Sequence, residues 1–145
     1  MFEIDLDFTL IMFHFKQLGI AFLLSLPIAL NRESRENGAG LRTFPLVTIA
    51  SCAFMLVGIN VFEGSDAEAR VMYGIITGMG FIGGGAIFRD KDSVKGTATA
   101  AGLWNTGAIG VSVAYSRYEI SIVLSFIGFL IFQFSEVLKP KQKAK

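Results

Sequence analysis

The chain has 145 residues, room for one domain, and only 17% of them are charged against about 25% in an average soluble domain. The charges fall in short clusters between long uncharged runs rich in Phe (14) and Gly (16), more apolar surface than a water-soluble domain of this size can cover. A net charge of +1 without basic residues interleaved among aromatics excludes nucleic acid as a partner, and the single Cys52 excludes an internal disulfide or a multi-cysteine metal site.

The acidic start, MFEIDLD, lacks the basic opening of a cleaved signal peptide. The first apolar run, residues 11–30, carries His14, Lys16 and Gln17 before the clean stretch LGIAFLLSLPIAL. Either Lys16 snorkels outward or the helix starts near Leu18, and Pro27 predicts a kink. His14 is expected to be solvated near the outer surface, with a pH-sensing role as the alternative. The second run, 43–62, opens with Pro45 in its first turn, where the missing N–H costs little. The third, 71–88, and fourth, 96–116, are rich in Gly and Ala; the fifth, 120–138, is rich in Phe and carries only Glu136.

Each run is close to the roughly 20 residues a helix needs to cross a bilayer, and none alternates as a barrel strand does. The expected fold is therefore all-α: a polytopic transmembrane bundle of about five spans over residues 1–138, with a basic tail at 139–145. Ten of the 13 Lys and Arg lie in the first loop, the third loop and the tail, while the other side holds Glu3, Asp5, Asp7, Glu63, Asp66 and Glu68. The positive-inside rule then places the N-terminus outside and the tail in the cytoplasm.

Gly78-Met79-Gly80-Phe81-Ile82-Gly83 spells the dinucleotide fingerprint G-x-G-x-x-G, but no strand precedes it and no acid follows about 20 residues on. Spacing offers a different account. Gly74 and Gly78, and Gly80 and Gly84, stand four apart; Gly96, Ala100, Gly107 and Gly110 continue the pattern in the fourth run. Small residues let helix backbones approach in lipid. The expectation is that the third and fourth spans pack backbone to backbone at the bundle's centre, with the fifth facing lipid.

Four ordered pieces carry a family resemblance: Arg32-Glu33, Ala39-Gly40-Leu41-Arg42-Thr43, Gly78 through Gly85, and Val94-Lys95-Gly96 through Thr99-Ala100-Ala101-Gly102-Leu103-Trp104 with Ala108-Ile109-Gly110. In these the chain resembles the MgtC/SapB family of bacterial membrane proteins. It departs from the usual pattern at Asn31, where the family has an acid, at Phe44, where His is common, and at Thr97-Ala98-Thr99. The resemblance implies a role in growth at low magnesium and in bacterial survival inside host cells. Some members are thought to restrain the membrane ATP synthase, and longer ones carry an ACT-like C-terminal domain, so a short form is expected here.

An Arg32–Glu33–Arg42 network is the expected functional cluster, joined by Asn105 at mid-span and, from the fourth motif, by Thr99 and Trp104. Asn105 and Thr106 are expected to bond to a neighbouring helix, and Trp104 to pack. Asp90 and Asp92 are hard oxygen donors, but Arg89, Lys91 and Lys95 beside them argue against a metal site. No nucleophile–base pair, metal triad or nucleotide loop stands out, so neither catalysis nor a cofactor is expected. Three roles remain open: a regulatory membrane subunit contacting another complex, an oligomeric ion carrier or channel, and a lipid-organising module.

Overall fold

The structure, a computed structural model, describes residues 6–34, 39–90 and 93–135. Among these residues the chain forms five α-helices and one two-stranded hairpin: α1 (Phe8–Glu33), α2 (Thr43–Val61), α3 (Ser65–Gly85), β1 (Phe88–Asp90), β2 (Ser93–Lys95), α4 (Thr97–Ala114) and α5 (Tyr118–Phe134). Each expected span corresponds to one helix. The tail at 139–145 and Glu136 lie outside the described residues.

Asp7 sets the start of α1. Its Oδ1 accepts from the backbone N–H of Thr9 at 2.8 Å and of Leu10 at 3.4 Å, an N-cap that satisfies two orphan donors. The helix therefore runs through His14, Lys16 and Gln17 instead of starting near Leu18. Its 26 residues extend about 39 Å, more than the roughly 30 Å of hydrocarbon in a bilayer. By length and composition α1 and α2 can each cross a membrane, and α5 is apolar but shorter at 17 residues. α3 begins six residues earlier than its apolar run because Asp66 and Glu68 favour the positive end of a helix in its first turn.

Contacts at the helix ends fix the order in space. At one end Gln17 of α1 meets Ser116 and Tyr118, Tyr115 meets Glu68 of α3, and Gly58 of α2 lies against Val71. At the other end Arg32 meets Thr99 of α4, Glu33 meets Leu41 ahead of α2, and Gly83 of α3 lies against Ala100. Successive helices thus run up and down, and α1 and α5 run parallel.

α4 sits at the centre, with ten buried residues, and α2 packs on it more closely than α3 does. A Cβ on Gly110 would lie 2.2 Å from the carbonyl oxygen of Thr48, so the α2 and α4 backbones touch there. Two apolar clusters fill the interior, one around Cys52, Met55 and Val113, the other around Ile28, Phe44, Met79 and Leu103. This corrects the expectation of an α3–α4 centre. α3 is peripheral and buries only Met79 and Gly83. A Cβ on Gly74, Gly78, Gly80 or Gly84 would meet no atom within 4 Å. A Cβ on Gly107 would stand 3.1 Å from the end of the Met79 side chain, so at this point a side chain of α3, not its backbone, meets the α4 glycine. The four-residue spacing sets each glycine pair of α3 on one face, but neither face is filled by a neighbouring helix. Gly74 and Gly78 line an apolar groove of about 460 Å³ between α2 and α3, and Gly80 and Gly84 line a hollow of about 330 Å³ beside Ala100 and Trp104.

Gly96 has a different task from the packing expected of it. At φ +86 it occupies the left-handed region, and a Cβ there would lie 1.8 Å from the Ala86 oxygen. It closes the base of the hairpin, where the sequence shows only a charged loop.

Candidate functional site: a buried polar junction

The last turn of α1 presents Asn31, Arg32 and Glu33 in three directions. Arg32 is only 7% exposed, and its Nη2 donates to Thr99 Oγ1 at 2.9 Å, joining α1 to the first turn of α4. Its guanidinium carbon lies 5.1 Å from the centre of the Phe132 ring on α5, a cation–π contact. Its charge also complements the negative C-terminal end of α1. Asn31, 8% exposed, donates from Nδ2 to Gln133 Oε1 of α5 at 2.6 Å, while its Oδ1 is buried without a hydrogen-bond partner. Glu33 Oε2 accepts from the backbone N–H of Leu41 at 2.9 Å and crowds Gly40, where a Cβ would stand 2.0 Å from the carboxylate. One turn of helix thereby ties α1 to α2, α4 and α5.

The expected Arg32–Glu33–Arg42 network is therefore corrected. Arg32 and Glu33 are sequence neighbours whose side chains serve different helices. Arg42 is the exposed N-cap residue of α2, makes no side-chain cap, and stays outside the junction among the described residues. The members that join it are Thr99, Asn31, Phe132 and Gln133. Arg35 and Glu36 lie outside the described residues.

Asn105 does what its position suggested: Nδ2 donates to the carbonyl of Leu124 at 3.2 Å, across α4 and α5. Gly128 makes room, since a Cβ there would be 2.6 Å from that nitrogen. Thr106 instead bonds back to Gly102 and Leu103 of its own helix. Trp104 does not pack inside as expected. It is 52% exposed and lines a groove of about 440 Å³ with Met79, Gly107 and Tyr115. Asp90 accepts from Lys95 Nζ at 2.6 Å, and Asp92 lies outside the described residues. Among the described residues no three His, Cys, Asp or Glu side chains converge. His14 differs from its solvated expectation: its Nδ1 is buried without a hydrogen-bond partner, against α2 in a groove that Asn60 also lines.

A second polar patch occupies the opposite end. Gln17, fully buried, donates to Ser116 Oγ at 3.1 Å and accepts from the Tyr118 hydroxyl; nearby, the Tyr115 hydroxyl donates to Glu68 at 2.8 Å. Between the two ends Ser125 donates to the Leu24 carbonyl at 2.6 Å. Gln17 and Asn31 stand on one face of α1 with the Leu24 carbonyl between them, facing Tyr118, Ser125 and Gln133 of α5, a polar seam that reading each run for apolarity alone misses.

The bundle buries hydroxyls and amides (Gln17, Ser25, Thr48, Thr106, Ser121, Ser125) and exposes Phe81, Phe126 and Ile131 at 86%, 62% and 61%. Hydrogen-bonded polar side chains between helices, large apolar side chains on the outside and two helices of spanning length fit a helical membrane protein. A model of the MgtC family matches residues 18–141, and the chain belongs to that family. It is 35% identical over 114 residues to "Putative magnesium transporter YhiD" of Escherichia coli (strain K12), covering 73% of this chain and 53% of that protein. It is 31% identical over 127 residues to Protein SrpB of Synechococcus elongatus, covering 79% and 70%. It is 40% identical over 91 residues to Protein MgtC of Brucella abortus (strain 2308), covering 63% and 38%. The chain thus spans about half the length of the first of these relatives. No solved structure matches it.

Proposed function

We propose that this MgtC-family chain is a five-span inner-membrane protein with its N-terminus outside and that it acts as a regulatory subunit under magnesium limitation or inside host cells. It is not an enzyme in this reading. It acts by helix contacts with another membrane complex, the ATP synthase being the candidate that the family resemblance implies. The observation that carries the reading is unfilled space along α3: a Cβ on Gly74, Gly78, Gly80 or Gly84 would meet no atom within 4 Å, and Phe81 nearby is 86% exposed. Four small residues on a membrane helix favour close helix approach, and within the chain that capacity is unused. The test is photo-crosslinking from a reactive residue at Phe81 in cells grown at low magnesium. Recovery of one membrane complex, lost in Gly78→Leu and Gly84→Leu variants that still fold, is expected. Absence of any heterologous adduct sinks the regulatory reading.

An oligomeric ion carrier or channel is the second reading, favoured by the name of the YhiD relative, a putative magnesium transporter. It requires magnesium flux in proteoliposomes containing this protein alone. Flux without a crosslinked partner selects it, and crosslinks without flux reject it.

A further inference from the structure

The groove of about 440 Å³ between α3 and α4 has two apolar walls. α3 contributes Met72, Ile76 and Met79, and α4 contributes Trp104, Val111 and Tyr115, stacked along one face of each helix by three- and four-residue spacing. Gly74, Gly78, Gly80 and Gly84 do not line it, so it is separate from the open glycine faces of α3. From Tyr115 inward to Trp104 the wall of α4 rises about 16 Å. That is close to half of the roughly 30 Å of hydrocarbon in a bilayer, the depth of one leaflet and the reach of one acyl chain.

The mouth of this groove is charged. Arg117 lines it, is exposed, and makes no side-chain hydrogen bond or ion pair among the described residues. The backbone that carries Arg117 is fixed. Ser116 takes φ +56, in the left-handed position where a helix that ends this way usually has glycine. Its N–H donates to the Val113 carbonyl and that of Arg117 to the Ser112 carbonyl, both at 2.8 Å, while Gln17 donates to the Ser116 hydroxyl oxygen at 3.1 Å. Across the mouth Glu68, half-buried one turn before Met72, accepts from the Tyr115 hydroxyl at 2.8 Å. A neutral phenol leaves that carboxylate its charge.

We infer that the groove binds a phospholipid with a primary ammonium headgroup, of the phosphatidylethanolamine class. One acyl chain lies between α3 and α4, the phosphate meets Arg117 and the ammonium meets Glu68. Guanidinium with phosphate, and ammonium with carboxylate, form charge-assisted hydrogen bonds. A quaternary headgroup nitrogen has no N–H to donate. A purely anionic headgroup would leave Glu68 without a counter-ion, at an end that also exposes Asp66 and Glu119. A transmembrane helix seated here would set both charges against an apolar flank. The inference rests on the membrane-spanning arrangement, but not on the regulatory role or on which leaflet the mouth faces.

Trp104 is the only tryptophan of the chain and lines the groove, so it reports the occupant without substitution. For the test, the full chain is reconstituted into vesicles of equal parts phosphatidylcholine and a lipid brominated toward the end of its acyl chain, either phosphatidylethanolamine, phosphatidylcholine or phosphatidylglycerol. Brominated phosphatidylethanolamine is expected to quench Trp104 with a relative binding constant about fivefold above the other two, the effect of one charged contact at a membrane surface. Arg117→Gln should abolish that preference, as should Glu68→Gln, which keeps an acceptor for Tyr115. Ala108→Phe, which narrows the groove, should abolish it with both charges in place. Equal quenching by the three lipids in the unsubstituted chain overturns the proposal. A preference for phosphatidylglycerol that Arg117→Gln alone removes overturns the ammonium contact. A Phe126→Trp reporter on α5, in a Trp104→Phe background, isolates the spanning arrangement. If it is quenched while Trp104 is not, a second copy of the chain covers the groove and the lipid site fails alone; if neither is quenched, the spanning arrangement fails.

Discussion

Two glycines with the same label behave oppositely. Gly110 lies where a Cβ would come within 2.2 Å of the Thr48 oxygen and 3.0 Å of the Cys52 nitrogen. Backbone on two helices cannot yield as a side-chain tip can. Gly110→Ala is expected to cost about 1–3 kcal/mol or more, the scale of overpacking a filled interior. Gly78→Ala meets nothing within 4 Å and gains helix propensity, so its stability is expected to stay equal or rise by about 0.5–1 kcal/mol. Thermal unfolding in detergent, followed by size-exclusion fluorescence, measures both. Equal losses at the two positions would contradict the packing described here. Asn105→Ala removes one helix-to-helix hydrogen bond and is expected to cost about 0.6 kcal/mol. These contrasts show what spacing can reveal. A four-residue interval establishes that Gly74 and Gly78 share a face of α3, but the neighbour of that face is a property of the whole bundle.

At the scale of elements, the five helices were legible because a bilayer demands long uncharged runs, and the boundaries 43–61 and 97–114 follow those runs within two residues. The hairpin was not legible: RDKDSVKG has neither alternating apolar residues nor a two-residue turn signal, and its closure depends on Gly96 meeting Ala86 across the fold. The polar seam was hidden for a related reason. Gln17 pairs with Tyr118, 101 residues away, and Asn31 with Gln133, 102 residues away. Its arrangement requires α1 and α5 to be parallel, and this is testable. In a Cys52→Ala background, Gln17→Cys with Tyr118→Cys is expected to join through a short thiol crosslinker, as is Asn31→Cys with Gln133→Cys. The mismatched pair Gln17→Cys with Gln133→Cys should not join. Efficient linkage of the mismatched pair would mean that the two helices run antiparallel.

For the whole molecule, up-and-down order and charge lead to the same geometry by separate routes. Hydrogen bonds put the start of α1, the start of α3 and the α4–α5 turn at one end, and the end of α1, the starts of α2 and α4 and the base of the hairpin at the other. The first end carries Asp7, Glu63, Asp66, Glu68 and Glu119 with Lys16, Arg70 and Arg117, and the second carries Arg32, Arg42, Arg89 and Lys95 with Glu33 and Asp90, so the first end is net acidic and the second net basic. Basic residues resist translocation far more than acidic ones promote it, so the second end is expected in the cytoplasm. With Cys52 replaced by Ala, Asp66→Cys should react with a membrane-impermeant maleimide added to intact spheroplasts, whereas Arg42→Cys and Arg89→Cys should react only after permeabilisation. Arg42→Cys carries the weight of this comparison because it is exposed and outside the junction, so the substitution changes charge without disturbing packing. Labelling of residue 42 from outside would invert the bundle. Labelling of both 42 and 66 from outside would break the alternation of the helices, and with it the link between the polar junction and the cytoplasmic face.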